Sequence, residues 1–151
     1  FRFIPLQKET EYVSWNMRCR TDQESGIAAV MQRKGEKMPH IKNIDHETVL
    51  SLTELVDAQP GQIVSKTLAQ NDYVSVTLFA FDKGEEISTH ESKGDAMVQV
   101  LEGEGRFTVD GREHFCKGGE TLIMPANKPH AVYAAEAFKM LLTVVFPEKT
   151  I

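Results

Sequence analysis

The chain is short of cysteine, of long apolar runs and of net positive charge, and each shortage excludes a class of protein. Its 151 residues hold two cysteines, Cys19 and Cys116, far apart in sequence. Two thiols can pair, but they do not make the disulfide framework of a small secreted scaffold, so a reducing, cytoplasmic setting is expected. No apolar run approaches the roughly 20 residues of a membrane-spanning helix. No charged stretch followed by an apolar one marks a secretory signal. No membrane partner is therefore expected. The net charge of −5 argues against a nucleic-acid partner, which calls for clustered Lys and Arg. What remains is an ordinary globular composition, 41% hydrophobic and 26% charged, at the length of one domain.

A long helical pattern is also missing. From about residue 62 onward the chain reads as short strands and turns. "IVSKTLAQ" (63–70) alternates and stops at Asn71-Asp72, and "YVSVTLFAF" (73–81) is rich in β-branched and aromatic residues. Within 96–120, Asp110-Gly111 stands between two alternating runs, the signature of a two-residue hairpin turn. "TLIMPA" (121–126), "HAVYAA" (130–135) and "AFKMLLTVVF" (137–146) complete the set. Turn signals at intervals of about 8 to 12 residues favour an antiparallel barrel or sandwich. "DHETVLSLTELV" (45–56) fits a helix only in part, and a short strand with a turn suits it equally.

Residues 1–37 have no clear period. Met38 opens a conventional start, "MPHIKNIDHETVL", and Lys34-Gly35-Glu36-Lys37 before it reverse-translates to a purine run resembling a bacterial ribosome-binding site. Two readings stay open: residues 1–37 are an extension from an upstream start, or an arm that adds a strand to a sheet. The domain expectation is an extension or arm over 1–37 and a barrel domain over 38–151, its core at about 62–146.

Two glycine-punctuated stretches carry the chemistry. The first runs from Gly84 through His90, Ser92 and Ala96 to Gly103, the second from Gly119 through Pro125 and Asn127 to His130. In order and spacing they resemble the paired motifs of the cupin superfamily, over about residues 62–146. The resemblance implies an all-β fold, a single antiparallel jelly-roll β-barrel of the RmlC type, as in small bacterial one-domain cupins. The family's first motif has His-x-His followed by Glu; here Ser92 stands for the second His and Ala96 for the Glu. In the second motif Asn127 stands for a glycine, a change asparagine tolerates in a left-handed turn, and Ala134 for the final Asn. The full motif implies a cage for Fe, Mn, Ni or Zn, because alternate strand residues share a face. Of that cage His90 and His130 remain as metal candidates. By parity Glu91 and Asp95 are expected to point away from the His90 face.

The pocket expected inside the barrel is lined by His90, Ser92, Ala96, Val98, His114 and His130. Parity places His114 with Phe107, Val109 and Cys116 on the inner face, as a satisfied core histidine or a pocket wall. His40 and His46 are expected at the surface, Arg106 and Arg112 solvated, and Met97, Met124 and Met140 packed among apolar neighbours. Cys116 reads as a small core residue, with no cationic group nearby to activate it. Two functions follow: a barrel that binds a small molecule without a tight metal, or a metal-dependent dioxygenase, isomerase or lyase built on two histidines. Metal-free acid–base catalysis ranks last for want of a carboxylate partner. The resemblance further implies a homodimer formed through exposed sheet edges.

Overall fold

A computed structural model describes residues 39–149 of the chain; the expectations for residues 1–37, for the start at Met38 and for Cys19 lie outside them. Nine strands follow one another: β1 Ile63–Gln70, β2 Val74–Phe81, β3 Glu86–His90, β4 Asp95–Glu102, β5 Glu104–Val109, β6 Arg112–Lys117, β7 Thr121–Met124, β8 His130–Tyr133 and β9 Phe138–Val145. The segment 45–56 is mostly irregular, with one 3-10 turn at Leu52–Leu55. Among the described residues no helix is long and apolar enough to cross a membrane.

The strands pair antiparallel into a five-stranded sheet, β1-β2-β9-β4-β7, and a four-stranded one, β3-β8-β5-β6. This is the all-β, antiparallel two-sheet arrangement of a jelly roll. The two sheets are separate hydrogen-bonded ladders joined by packing. Asp110 and Gly111, both at positive φ (48° and 79°), make the tight turn between β5 and β6, where a left-handed pair matches the strand twist.

Alternation decides which residues face inward. On β2, Phe81 joins the core between the sheets, while Leu78 and Ala80 face the other way. The inner core gathers Phe81, Val98, Val100, Phe107, Phe138 and Met140, all essentially buried. Phe138 stacks on Phe81 from its own sheet, with ring centroids 4.6 Å apart. It also meets Phe107 of the facing sheet edge-on at 6.1 Å, a geometry favoured by the ring quadrupoles. The outer face of the five-stranded sheet is covered by the segment preceding β1. Ile44, Leu52, Leu55 and Val56 pack there on Leu68, Leu78, Ala80 and Leu141. Lys139 of β9 ties that cover down by donating to the Thr53 carbonyl at 2.7 Å.

Candidate functional site

The two motif histidines meet across β3 and β8. His90 and His130 are direct partners in that ladder, and their rings lie edge to face with centroids 4.3 Å apart. A one-residue irregularity in β3 makes this meeting possible. Ile87 pairs with Val132 and His90 with His130, so three steps along β3 match two along β8. In a regular strand Ile87 and His90 would point to opposite faces. The extra residue is a β-bulge, which re-aims the chain beyond it, and both side chains line the same cavity.

That cavity measures about 260 Å³ and lies between the sheets. One wall is apolar, from Ile87, Ala96, Met124, Val132, Met140, Leu142 and Val144, and the other end is polar, from His90, Glu91, Ser92 and His130. His130 is only 3% exposed, whereas His90 opens to solvent. Each ring is fixed by the same local device. His90 Nδ1 donates to the Ser88 carbonyl at 2.8 Å, and His130 Nδ1 donates to the Lys128 carbonyl at 2.9 Å. A carbonyl oxygen can only accept, so each Nδ1 carries its proton and each neutral ring keeps a lone pair on Nε2. Among the described residues no fully buried side-chain nitrogen or oxygen lacks a partner, so the unbonded Nε2 of His130 reaches the cavity surface. Burial lowers the pKa of His130, and the neighbouring His90 adds to that; the bond to Lys128 and the charge of Glu91 oppose it.

The loop after β3 is held in place by backbone bonds. Asn127, in the left-handed region at φ 59°, donates its N–H to the Ser92 carbonyl at 2.7 Å. Gly94 N–H donates to Ser92 Oγ at 3.2 Å. Gly94 also passes so close to β9 that a Cβ there would strike the Val145 carbonyl. Asp95 accepts from Ala126 N–H at 2.8 Å and so pins the turn before β8.

Of the pocket residues expected from the sequence, His90, Ser92, Ala96 and His130 come together around the cavity, and two do not. Val98 is completely buried in the core between the sheets and does not line the cavity. His114 is exposed, contrary to the expectation of an inner position. Parity does place it beside Phe107 in the β5–β6 ladder. However, β6 is the edge strand of its sheet, and only Cys116, farther along it, is covered. Apart from Ala96, the apolar wall was not foreseen as pocket lining, and one polar residue was missed. Glu91 lines the cavity, because the strand ends at His90 and alternation does not carry past it. The odd interval between Ile87 and His90 is the signal that could have exposed the bulge and the change of face. Burial pushes the Cys116 thiol up, in keeping with an inert core position. Tyr133 sits on the outer face of the four-stranded sheet beneath the Arg106 guanidinium, 4.5 Å from the ring centroid.

A cage for a metal needs more than these donors. Among the described residues no group of three or more His, Cys, Asp or Glu side chains is placed to hold a metal ion. Two imidazoles with Ser92 and Ala96 beside them do not fit a tight, closed shell of three or four protein ligands.

Comparison with known proteins agrees with this architecture. The family model described as a cupin domain matches residues 77–146. A conserved protein of unknown function from Streptococcus pyogenes is 46% identical over 76% of this chain and 100% of its own, with a TM-score of 0.73. A cupin superfamily protein from Desulfitobacterium hafniense is 35% identical over 72% of this chain and 100% of its own, with a TM-score of 0.69. A cupin 2 conserved barrel domain protein from Leptotrichia buccalis is 46% identical over 64% of this chain and 47% of its own, with a TM-score of 0.62. Comparison with curated proteins found no match. With its two antiparallel sheets, its paired motifs and its likeness to these proteins, the chain belongs to the cupin superfamily.

Proposed function

We propose that this cupin binds a small molecule in the cavity between its sheets, with His90 and His130 as the groups that orient it. The observation that carries this reading is the histidine pair at the polar end of an otherwise apolar cavity of about 260 Å³, both rings locked through Nδ1 and with Nε2 unpaired among the described residues. A preformed concave site with an apolar body and a few convergent polar groups suits ligand capture. Native mass spectrometry of the full chain, purified without a metal-affinity step, tests it. A co-purifying small molecule lost in His130→Ala and retained in the surface variant His46→Ala is the expected result. Retention of the same molecule in His130→Ala would refute the assignment to this cavity.

A second reading, a metal-dependent dioxygenase, isomerase or lyase, draws support from the same Nδ1 bonds. Donation of Nδ1–H to a carbonyl is how metal-bound histidines are commonly oriented. Elemental analysis for Zn, Ni, Mn and Fe separates the two readings. The first expects substoichiometric metal removed by dialysis, the second a stoichiometric ion. Self-association belongs to the same proposal. Phe115, 61% exposed, lies on the edge strand β6, where a second copy would shield it. The low cysteine count and the buried thiol of Cys116 support a reducing, cytoplasmic setting.

A further inference from the structure

We infer that the polar end of the cavity selects a ligand head that donates hydrogen bonds, an amine above all, and disfavours a carboxylate. This rests on the small-molecule reading and narrows it to a chemical class. The groups at that end are nearly all acceptors. His90 and His130 each spend their Nδ1 proton on a carbonyl, at 2.8 and 2.9 Å, and offer only the Nε2 lone pair. Glu91, the third polar neighbour, is acceptor-only when ionised. Ser92 Oγ already accepts from Gly94 N–H at 3.2 Å, which leaves one hydroxyl proton to donate. No Lys or Arg is among the described residues lining the cavity.

A carboxylate head would therefore set its charge against Glu91 and two lone pairs, with one hydroxyl to bond. An ammonium head would find the two Nε2 lone pairs as acceptors, with the charge of Glu91 at the same end of the cavity to offset its own. Charged groups are costly to bury unpaired, so the asymmetry is large even where the mouth stays wet. The remaining wall is apolar, from Ile87, Met124, Val132, Leu142 and Val144, and takes a short branched or unbranched hydrocarbon body. At about 260 Å³ the space falls below the roughly 300–1,000 Å³ of drug-sized sites. The ligand class is thus a small aliphatic amine or a compound presenting N–H or O–H donors at one end.

Three probes with one skeleton test this on the full chain: 3-methylbutylamine, 3-methyl-1-butanol and 3-methylbutanoate. The protein is first dialysed against a chelator, so that no metal can bridge the acid. Ligand-observed NMR titrations give affinities, and the ring C–H signals of His90 and His130 report location. The amine should bind about tenfold or more tighter than the acid, the scale set by charge-assisted hydrogen bonds, with the alcohol between them. Glu91→Gln should narrow that gap by weakening the amine and should leave the alcohol nearly unchanged. Glu91 is exposed, so its replacement tests charge and not folding. Equal or tighter binding of the acid, or a gap indifferent to Glu91→Gln, would overturn the donor-head inference and leave small-molecule binding standing. No binding by any of the three, with neither ring shifted, would count against the inference and the cavity reading together.

Discussion

Restoring the two absent ligands, Ser92→His with Ala96→Glu, gives the most direct measure of what this cavity has given up. Both positions line the cavity beside His90 and His130, so the new side chains enter a space that already exists. Their costs differ. Ser92 is half-buried on a loop, and a histidine there can turn toward the open mouth. Ala96 is 2% exposed and pairs with Met124 and Val144 on the flanking strands, both apolar. A carboxyl group placed there without a partner costs about 1–3 kcal/mol, or a fall in melting temperature of about 4–12 °C at about 4 °C per kcal/mol. A metal ion held by four side chains should reverse this. At a free concentration one hundred times its dissociation constant, an ion that binds only the folded state adds about 2.7 kcal/mol, which more than offsets the middle of that range. Thermal unfolding of the wild type, the two single variants and the double variant, each with and without Zn or Ni, reads out the cycle. The double variant should melt lower than the wild type without metal and rise by about 10 °C with it, while the wild type moves little. If metal raised the wild type as far as the double variant, His90 and His130 would already belong to a complete site, and the incomplete-cage argument would fail.

Three further outcomes are expected. Gly105→Ala should destabilise the fold by about 1–3 kcal/mol by overpacking, because a Cβ there would lie 2.7–2.8 Å from ring carbons of Phe138 and Phe107; urea denaturation checks it, and a neutral result would mean the rings give way. His130 should make stability depend on pH: its pKa is lowered on folding, chiefly by burial, with His90 and Glu91 as its charged neighbours. That contribution is complete above about 6.5 and is lost as pH falls below it toward the depressed value, so His130→Asn, which keeps a donor for Lys128, should flatten the stability profile below pH 6.5. A chain beginning at Met38 should unfold cooperatively, since it keeps both hydrophobic clusters seen among the described residues, from Ile44 onward; aggregation of that fragment on expression would show that residues 1–37 contribute a part of the fold.

Much of the fold was legible because strands advertise themselves by alternation. "IVSKTLAQ" forms a strand over the expected residues, and Asp110-Gly111 turns where the dipeptide signalled it. Less could be read where alternation is interrupted or where coverage, not parity, decides burial. Glu91 escaped because face was extrapolated past the end of β3. His114 was misplaced because parity fixes a side chain's face, whereas its burial depends on whether the opposite sheet extends over it. The segment 45–56 could not be read as strand or helix because it is mostly neither. Its apolar residues, Leu52, Leu55 and Val56, satisfy the outside of a sheet instead of a period of their own. Within the candidate site, the histidines were legible from motif spacing, but the direction of their lone pairs was not. That depends on the carbonyls of Ser88 and Lys128, which no side-chain pattern encodes.

The bulge in β3 lets the pocket depend on how the chain pairs as well as on the kinds of residue that line it. Ser88 and Thr89 lie on the outward side, against the groove that Arg106 and Tyr133 share, and contribute no side chain to the cavity. Replacing either by alanine should leave the histidine pair as it is. Removing one of them should leave it too: with Ile87 and the histidine then two steps apart, the shortened strand would match β8 step for step, and alternation alone would hold both side chains on the cavity face. Two homologues can therefore differ by a single codon between Ile87 and the histidine and still own the same site, one with a bulge and the other with a regular strand. A motif search that fixed this interval at one length would pass over such a relative.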